Sequence, residues 1–425
     1  MPELKAPRGV DDLLPADQPY WRWLRETATR VAESYGYGEI QTPVFEHAGV
    51  WLRPGAEGTD VVDKEMYRFE DRGGDDLVLR PEGTAGVVRA YLEHGMASQP
   101  QPVRLFYFID VFRYDRPQAG RYRVHHQFGV EAIGDGDPAL DAEVIDLLAT
   151  FYRELGLRDY TVLLNSIGDG NCRPQYIEKL REYYADKIES MCADCKRRYD
   201  INPLRLLDCK NEPCQPYKAG APRLVDNLCD PCREHFDTVK SLLNALGITY
   251  ELDPLLVRGL DYYTRTAFEI QPAIEGSQSA MGGGGRYDGL VEQLGGKPTP
   301  GIGFGTGLER LIINLKRQGL EPPEAKKLDA FIAVADRAAQ GRAMSVASSL
   351  RDAGLSVMVG AAGRSLKAQM RQANSFAAGA ALVIGSQELA NGTVAFRDLA
   401  TGLQETLTPE EVVARVQQGT IEDGA

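Results

Sequence analysis

The sequence predicts two folded domains: an N-terminal α+β domain with a mostly helical insertion, and a smaller C-terminal α/β domain. Segments rich in aromatic and β-branched residues recur between 77 and 165 and indicate strands. At about 170–250 the pattern becomes polar, helical and cysteine-bearing before strand patterns return, so we interpret it as an insertion. Strand and helix patterns alternate from residue 327. We therefore place the two domains at 1–325 and 326–425.

The N-terminal domain opens with a predicted amphipathic helix over residues 19–35. Its apolar positions recur at helical spacing and a glycine follows it: Trp21, Leu24, Ala28, Val31 and then Gly36. The strand-like segment EIQTPVFE comes next. Further along, VRLFYFIDVFRYD and RYRVHHQFGVEAIG are joined by the loop RPQAG, which predicts a long antiparallel hairpin.

Strand patterns resume after the insertion with LLVRGLDYYTRTAFEIQP. The segment KRQGLEPPEAKK is interpreted as the linker to the C-terminal domain. Beyond it, LDAFIAVA, AMSVASSLRDAG, LSVMVGA, SLKAQMRQANSFAAG and AALVIG predict strand, helix, strand, helix and strand. This alternation is typical of a small α/β domain with a largely parallel sheet.

Composition limits the classes of function. The chain is 43% hydrophobic and 26% charged, an ordinary globular mixture. Its net charge of −13 argues against a protein that coats nucleic acid non-specifically or lies on an anionic membrane, but allows a local basic face. The N-terminal stretch is charged and interrupted by prolines, and the sequence contains no apolar run of membrane-spanning length. We expect a cytoplasmic protein with no membrane partner.

Two glycine-rich stretches favour a ligand site. MGGGGRYDGL, at 281–290, lies between a strand pattern and a helix pattern, where glycines let the backbone approach a ligand closely. GIGFGTGLERL, at 301–311, has glycine at every second position from 301 to 307, which leaves one strand face bare. Neither stretch has the spacing of a dinucleotide fingerprint or of a phosphate loop. Arg310 in the following helix is suited to meet a phosphate, although a flexible linker and a helix-surface arginine are the simpler alternatives.

These stretches resemble the class II aminoacyl-tRNA synthetases, and within them the histidyl-tRNA synthetase family. GIGFGTGLERL is similar to the third motif of the class, FRYDRPQAGRYRVHHQFGVEAIG to the second, and the first helix with EIQTPVFE to the first. LVRGLDYYTRTAFE and MGGGGRYDGL resemble stretches peculiar to the histidine enzymes. The resemblance covers nearly the whole chain and is weakest at 170–250. It implies an antiparallel catalytic sheet flanked by helices, a homodimer, and a C-terminal anticodon-binding domain.

The resemblance implies L-histidine as a substrate. A neutral imidazole offers one donor and one acceptor, so a selective pocket needs an acceptor and a donor, and Glu131 and Tyr263 match the family positions for those roles. In LRPEGT, Glu82 and Thr84 match acceptors of the α-ammonium group, although PEGT also suits the first turn of a helix. The full set of implied histidine contacts is Glu82, Gly83, Thr84, Arg113, Gln127, Glu131, Arg258, Tyr262 and Tyr263.

The implied reaction joins the histidine carboxylate to the α-phosphate of ATP, which enters as a substrate with Mg²⁺. Negative charge accumulates where carboxylate and phosphate meet, so cations are needed there. Arg113, Arg258 and Arg310 match the catalytic arginines of the family. Arg113, Arg121 and Arg310 are the implied ATP contacts, and no metal is assigned to protein ligands at this site.

Two residues depart from the family pattern. Asp115 stands where the second motif usually has glutamate, and His125 where family members commonly have a phenylalanine that stacks on adenine. The implied partner of the whole protein is histidine tRNA. Arg116 and Gln118 resemble residues that contact its acceptor end. In the C-terminal domain the spacing of three cations predicts one basic helix face, formed by Arg364, Lys367 and Arg371.

Seven cysteines, an odd number, lie between Cys172 and Cys232, which suits a metal or reduced-thiol cluster better than a disulfide framework. Cys192-x-x-Cys195 and Cys229-x-x-Cys232 are pairs of the kind that hold zinc, with Cys209 and Cys214 between them. Zinc binding by these two pairs is left open.

Two other functions are considered. One is a non-catalytic relative such as the regulatory subunit of ATP phosphoribosyltransferase, which is expected to lack the motif arginines and the anticodon-binding domain. The other is a zinc-stabilised nucleic-acid-binding protein, which would leave both glycine stretches unexplained.

Overall fold

The computed structural model describes residues 3–53, 59, 61–118, 120–273, 280–324 and 327–422. The chain divides into two compact units, Met1–Pro323 and Glu324–Ala425. The predicted domain boundary between residues 325 and 326 lies outside the described residues. Each unit is described by itself.

The N-terminal unit combines one large sheet, one small sheet and helices. Its strands are β1 (Gly38–Glu39), β2 (Phe45–His47), β3 (Tyr67–Glu70), β4 (Asp76–Leu79), β5 (Val103–Phe112), β6 (Val124–Ile133), β7 (Tyr160–Ser166), β8 (Tyr250–Leu252), β9 (Thr264–Pro272), β10 (Gly282–Arg286) and β11 (Gly301–Gly307). Its α-helices are α1 (Gln18–Ser34), α2 (Thr84–Glu93), α3 (Pro138–Glu154), α4 (Arg173–Tyr184), α5 (Ala193–Ile201), α6 (Asp230–Ala245), α7 (Leu290–Gln293) and α8 (Leu308–Arg317).

The large sheet has eight strands in the order β1-β5-β6-β11-β10-β9-β7-β8. All of its inner pairings are antiparallel, whereas the outer strands β1 and β8 pair parallel to β5 and β7. The predicted antiparallel sheet flanked by helices is confirmed in its centre, and the whole sheet is mixed. Strands β2, β4 and β3 form the small sheet.

The predicted helix and hairpin at the start of the chain are confirmed. Helix α1 spans Gln18–Ser34 and buries Leu24, Ala28 and Val31, and Gly36 follows with φ of 79°. That left-handed conformation is the one that glycine adopts at helix ends. Strands β5 and β6 form the hairpin, pairing from Val103↔Ile133 to Phe112↔Val124.

The four consecutive glycines form a strand rather than a connection. Gly282–Arg286 is β10, which lies between β9 and β11 in the middle of the large sheet, and every residue in it is buried. The expectation that the run joins a strand to a helix was therefore wrong. The expected strand at LLVRGLDYY is also absent among the described residues, because β9 begins only at Thr264.

The insertion is mostly helical, as predicted, with α4, α5, α6 and several short 3₁₀ turns. It is joined to the sheet by a buried polar group. Asp141 Oδ1 lies 3.0 Å from His235 Nε2 of α6, and Asp141 Oδ2 accepts a hydrogen bond from Arg286 Nε at 3.0 Å. Burial alone would raise the pKa of Asp141, but Arg286 and His235 hold it below its usual value.

The two Cys-x-x-Cys pairs do not form one site. Cys192 and Cys195 lie at the start of α5, whereas Cys229 and Cys232 lie at the start of α6. Cys192 and Cys195 lie close to Cys209 and Cys214, whereas Cys229 and Cys232 lie close to Asp169 and Cys172. Sequence spacing could not show this, because the partners come from separate turns of the insertion.

The C-terminal unit has a five-stranded sheet in the order β13-β12-β14-β15-β16. Its elements are β12 (Ala330–Val334), α9 (Gln340–Asp352), β13 (Val357–Val359), α10 (Leu366–Ser375), β14 (Ala380–Ile384), α11 (Ser386–Asn391), β15 (Val394–Asp398), β16 (Gln404–Leu407) and α12 (Pro409–Glu422). The predicted strand-helix alternation is confirmed, and β12, β13 and β14 pair in parallel.

The predicted basic helix face is only partly right. The hydroxyl of Ser365 accepts a hydrogen bond from the Ala368 N–H and caps α10, so Arg364 lies in the loop before the helix. Lys367 and Arg371 lie within α10, and all three cations are exposed. The basic surface is therefore formed by Arg364 in the loop and by the pair Lys367 and Arg371 on the helix.

Each unit buries its own apolar core. Phe128, at the centre of the N-terminal core, packs against Phe108, Phe151 and Phe304 from neighbouring strands and α3. Burial of such side chains is the main favourable contribution to folding. Among the helices described, none combines the length and the apolar character needed to cross a membrane.

Candidate active site

A polar cavity of about 280 Å³ lies over the glycine-rich centre of the large sheet. It collects most of the site residues predicted from the sequence. Those that line it are Glu82, Thr84, Arg113, Arg121, Gln127, Arg258, Tyr262, Tyr263 and Arg310. The predicted residues that do not line it are Gly83, Arg116, Gln118 and Glu131.

Two arginines of the cavity are held by main-chain carbonyl groups. Arg113 follows β5, and its Nε donates to the carbonyl of Pro81 at 2.8 Å. Arg310 lies in the first turn of α8 and donates from Nε to Gly120 O at 2.9 Å and from Nη1 to Ala280 O at 2.7 Å. Carbonyl groups fix the guanidinium planes without cancelling their charge.

Arg113, Arg121 and Arg310 bring three positive charges close together on the cavity lining. Burial, together with the nearby cations Arg121 and Arg113, lowers the pKa of Arg310 below its usual value. Arg121 is itself paired with Asp115 at 3.1 Å. An anion that entered between these guanidinium groups would relieve their repulsion, so the site is built to bind negative charge.

Arg258 is held differently from the other two arginines. Its Nη1 lies 3.0 Å from Glu269 Oε2, and its guanidinium carbon lies 5.6 Å from the centre of the Tyr263 ring. Its Nε is buried and has no hydrogen-bond partner among the described residues. A buried donor left without a partner is costly, and it marks a position where a ligand oxygen would be stabilising.

Glu82 both lines the cavity and starts a helix. Its Oε1 accepts from Trp51 Nε1 and from the Ala85 N–H, each at 2.9 Å, and its Oε2 accepts from the Thr84 N–H at 2.6 Å. The two interpretations of PEGT are thus compatible: Glu82 caps the first turn of α2, and that turn presents Thr84 to the cavity. The hydroxyl of Tyr262 also donates to Glu82, at 3.2 Å.

Glu131 lies behind the cavity wall rather than on it. It is fully buried, and its carboxylate accepts from three hydroxyls: Thr84 at 2.7 Å, Tyr107 at 3.0 Å and Tyr287 at 2.6 Å. Burial raises the pKa of Glu131 to about 8 even though these donors stabilise its charge. Thr84 and Tyr107 both line the cavity, so Glu131 fixes the positions of two cavity side chains through their hydroxyls.

The glycines make room for functional side chains. A Cβ on Gly283 would come within 2.7 Å of Arg258 Nη1 and of the Phe268 carbonyl oxygen. A Cβ on Gly303 would overlap the carboxylate of Glu131. The bare strand faces therefore lie under Arg258 and Glu131 as well as under the cavity, a detail that the sequence did not predict.

Comparison with known proteins agrees with this arrangement. The family model for histidyl-tRNA synthetase matches residues 9–311, and the model for an anticodon binding domain matches residues 329–419. A protein of Dehalococcoides mccartyi strain 195 named histidine–tRNA ligase is 52% identical over 97% of this chain and 99% of its own length. This chain belongs to the histidyl-tRNA synthetase family.

Other relatives match nearly the whole length of this chain and also belong to the histidyl-tRNA synthetase family. A histidine–tRNA ligase of Desulforamulus reducens is 45% identical and covers 97% of this chain and 99% of its own. The solved structure of apo S. aureus histidyl-tRNA synthetase is 37% identical, covers 97% of this chain and all of its own, and has a TM-score of 0.82.

A more distant structure shares the fold alone. The protein from Bacillus halodurans described as an ATP phosphoribosyltransferase regulatory subunit/histidyl-tRNA synthetase has a TM-score of 0.64 at 21% identity, over 90% of this chain and 97% of its own. Relatives that match nearly the whole of this chain at 52% and 45% identity are named histidine–tRNA ligase, so the synthetase interpretation holds over the regulatory one. The present chain also brings Arg113, Arg258 and Arg310 together in one cavity.

The two departures from the histidyl-tRNA synthetase pattern, Asp115 and His125, both line the cavity. Burial and the cations Arg113 and Arg310 lower the pKa of His125 to about 3, so its ring is neutral at neutral pH. A neutral imidazole keeps the flat apolar face that a phenylalanine would offer. Asp115 keeps a carboxylate, which pairs with Arg121.

The remaining predicted residues lie outside the cavity. Arg116 and Gln118 are exposed in the loop after β5, where Gln118 and Arg121 form a short antiparallel bridge. Gly83 lies beside Tyr107, whose ring occupies the place of a Cβ.

Sequence reasoning missed three carboxylates and two tyrosines that line the cavity: Glu65, Glu269, Glu309, Tyr107 and Tyr122. Glu269 lies directly opposite Gly283 in the pairing of β9 with β10. Alternation along AFEIQP could have placed Glu269 on the same face as the glycine, had the glycine run been interpreted as a strand. The hydroxyl of Tyr287, directly after β10, reaches Glu131.

Proposed function

We propose that this chain is a histidine–tRNA ligase that activates L-histidine with ATP and transfers it to the 3′ end of histidine tRNA. The observation that carries the proposal is the convergence of Arg113, Arg258 and Arg310 on one cavity in a chain of this family. The first step joins two anions, a carboxylate and a triphosphate. Three fixed cations offset the repulsion between them and stabilise the charge that develops at the α-phosphate.

Each arginine has a separate part in the proposal. Arg113 bridges the histidine carboxylate and the α-phosphate. Arg258, whose buried Nε has no partner among the described residues, donates to the same reacting oxygens. Arg310, with Arg121 nearby, binds the outer phosphates. Because the guanidinium groups are already fixed by carbonyls and by Glu269, little reorganisation is needed during the reaction.

Histidine binds, in this proposal, at the end of the cavity lined by Glu82, Thr84, Gln127 and the two tyrosines Tyr262 and Tyr263. Glu82 and Gln127 supply oxygen acceptors for the α-ammonium group. The imidazole lies toward Tyr263 on one side and toward Glu131 on the other. Glu131 reaches it when one of its hydroxyl donors gives way, or acts through the hydroxyls of Thr84 and Tyr107.

Polar selection of this kind explains how histidine is distinguished from apolar amino acids. A site that pairs with both imidazole nitrogens leaves buried groups unsatisfied when another side chain enters, and such sites reject analogues by roughly 10⁴-fold or more. Gly83 has no side chain to contribute, and its proposed part is to bring the α2 main chain close to the substrate.

ATP enters with Mg²⁺ in the proposal. Glu65, Glu269 and Glu309 place carboxylate oxygens on the wall of the same cavity, and these are ligands that Mg²⁺ prefers. The metal would neutralise part of the triphosphate charge as ATP binds. Arg116 and Gln118, in the exposed loop beside the cavity residue Arg113, are proposed to contact the acceptor end of the tRNA.

The proposal includes a homodimer in the cytoplasm, as expected for this family, and sedimentation of the purified chain tests the oligomeric state.

The decisive assay is histidine-dependent exchange of labelled pyrophosphate into ATP, followed by charging of histidine tRNA. We expect exchange with L-histidine and little with other amino acids. Histidinol, which keeps the imidazole and ammonium groups but has no carboxylate, is the matched control and should give none. Absence of exchange by the intact purified chain in the presence of Mg²⁺ would refute the proposal.

A further inference from the structure

All seven cysteines of the chain fall into two separate clusters in the insertion. The first cluster consists of Cys192, Cys195, Cys209 and Cys214, and the second of Asp169, Cys172, Cys229 and Cys232. Within each cluster the four potential ligand atoms lie within 4.8 Å of one another. Every cysteine is a free thiol. No cysteine is left over, which is unusual for residues that serve only as apolar filling.

Both clusters have the same local construction. A Cys-x-x-Cys pair opens a helix: Cys192 precedes α5 with Cys195 in its first turn, and Cys229 precedes α6 with Cys232 in its first turn. Main-chain N–H groups at the start of a helix favour the thiolate form, which is the form that binds metal. The proline after Asp230 sits at the second position of α6, where a missing N–H costs nothing.

The remaining ligands come from a second turn in each cluster. Cys209 and Cys214 flank the start of a 3₁₀ turn, Glu212–Tyr217. Asp169 and Cys172 are spaced as a second x-x pair just before α4. The ligands of each cluster thus come from two short segments that are distant in the sequence and close in the fold.

The distances match a shared ion. Cys192 Sγ lies 3.8 Å from Cys209 Sγ, and Asp169 Oδ1 lies 3.8 Å from Cys172 Sγ and 3.9 Å from Cys229 Sγ. In a tetrahedral zinc site with Zn–S bonds of about 2.3 Å and a Zn–O bond of about 2.1 Å, neighbouring sulfur atoms lie about 3.8 Å apart and an oxygen lies about 3.6 Å from a sulfur. A disulfide would need about 2.05 Å. The geometry is that of coordination rather than covalent pairing.

The groups around the ligands are arranged to orient them. The Cys192 N–H donates to Cys214 Sγ at 3.3 Å. The Asn171 N–H donates to Asp169 Oδ1 at 2.9 Å, and Arg265 Nη2 lies 3.4 Å from Asp169 Oδ2. Such outer contacts fix the direction of a metal ligand and offset the excess negative charge of a thiolate-rich site.

Burial indicates a structural role. Cys195, Cys214 and Cys232 have no exposed surface, and Cys209 and Cys172 are 2% and 4% exposed. Four protein ligands complete a tetrahedron and leave no open position for water or substrate, which is the character of structural rather than catalytic zinc.

We propose that the insertion binds two structural zinc ions, one held by Cys192, Cys195, Cys209 and Cys214 and one by Asp169, Cys172, Cys229 and Cys232. These ions lie outside the cavity and take no part in the chemistry of histidine activation.

Both zinc sites support the main chain that carries the active site. Arg205, four residues before Cys209, donates to the carbonyl of Arg258 at 3.2 Å. Arg173, directly after Cys172, donates to the carbonyl of Tyr263 at 2.7 Å. Loss of either metal would loosen Arg205 or Arg173, and with it the main chain between Arg258 and Tyr263. Both the stability of the fold and the rate of adenylate formation therefore depend on zinc.

The test uses inductively coupled plasma mass spectrometry to measure the metal content of the full-length chain. The protein is produced in zinc-containing medium and purified without chelator. We expect two zinc ions per chain. Cys209→Ser and Cys172→Ser should each lose one ion and should unfold at lower temperature. Asp226→Asn, which changes an exposed carboxylate in the same insertion but outside both clusters, is the control and should keep both ions.

A second measurement uses the unaltered chain and does not depend on folded variants. Protein produced with cobalt in place of zinc should show the charge-transfer and visible bands of tetrahedral cobalt–thiolate sites, with two cobalt ions per chain. Fewer than two bound ions in the unaltered chain, disulfides between the clustered cysteines, or full zinc content in Cys209→Ser would each overturn the proposal.

Discussion

The three arginines proposed to be catalytic differ in how much of their hydrogen-bonding capacity the protein uses. Arg113 and Arg310 are fixed by carbonyls, whereas Arg258 is paired with Glu269 and keeps a buried Nε without a partner among the described residues. That free donor makes Arg258 the residue whose removal should affect the chemistry most directly.

We predict that Arg258→Ala lowers the rate of pyrophosphate exchange by at least about 100-fold, the size of effect seen when a fixed donor to developing charge is removed. Arg258→Lys should recover only part of the loss, because an ammonium group lacks the planar fork. Circular dichroism should show an unchanged fold. Arg68→Ala, which breaks an exposed ion pair with Asp76, is the control and should leave exchange unaltered. Near-normal exchange by Arg258→Ala would contradict the assignment.

Glu131 gives a prediction about pH. Burial raises the pKa of Glu131 from 4.5 to about 8, so between these values the folded state holds a proton that the unfolded state has released. Raising the pH therefore favours unfolding, and the stabilisation present at low pH is lost as the pH rises toward 8. This group alone would lower the free energy of unfolding by up to about 1.4 kcal/mol per pH unit.

The measurement is urea unfolding of the unaltered chain and of Glu131→Gln at a series of pH values between the two limits. Glutamine is uncharged throughout, so its free energy of unfolding should fall less steeply with pH. The difference between the two curves isolates Glu131 from all other titrating groups. Parallel curves would show that the carboxyl group ionises normally in the folded chain.

At the scale of elements, β10 differs from most central strands because it depends on strand pairing for its stability. It is a strand of four glycines and one arginine, and its stability comes from pairing with β9 and β11 rather than from side-chain packing. We predict that Gly283→Ala destabilises the chain by about 1–3 kcal/mol and displaces Arg258, because the new Cβ meets both Arg258 Nη1 and the Phe268 carbonyl.

The paired measurements are thermal unfolding and pyrophosphate exchange. Gly341→Ala is the matched control: Gly341 lies in α9 with nothing within 4 Å of its would-be Cβ, so alanine there should be neutral or stabilising. If Gly283→Ala behaves like this control in both assays, the close packing of β10 under Arg258 is not important for function.

Local patterns predicted some elements well and others poorly. Helix α1 and the β5–β6 hairpin were predictable, because apolar periodicity and turn residues coincide there. Strand β10 was not, because glycines carry no periodicity and the strand exists through its neighbours. Arg364 was wrongly placed on α10, although it lies two residues before that helix, since the pattern of cations crosses the capping residue Ser365.

The motifs predicted which side chains of the site meet. They did not predict which of these side chains line the cavity and which are buried behind its wall. Arg113, Arg258 and Arg310 converge as the resemblance implied. Glu131 lies behind the cavity wall, where Tyr107 from β5 donates to its Oε1 and Tyr287 after β10 donates to its Oε2. Contacts between distant segments of this kind depend on strand register, which a single sequence does not specify.

At the scale of the molecule, the division into two units with separate cores yields a prediction. A chain that ends at Pro323 should fold and retain histidine-dependent pyrophosphate exchange, because every residue that lines the cavity precedes that point. It should charge histidine tRNA at least about 10-fold more slowly, because the basic residues Arg364, Lys367 and Arg371 are removed with the anticodon-binding domain.

The comparison is between exchange and charging rates for the shortened and full-length chains, with light scattering of each to report its oligomeric state. Equal losses in both rates would indicate that the C-terminal unit supports the catalytic unit rather than the tRNA. Equal charging rates would show that the C-terminal unit contributes nothing to tRNA recognition.

The buried group of His235, Asp141 and Arg286 also bears on how this family can vary. Helix α6 of the insertion contacts, through His235, the same Asp141 carboxylate that holds Arg286, the last residue of the glycine strand. A chimaera that imports another relative's insertion would have to bring a compatible partner for Asp141.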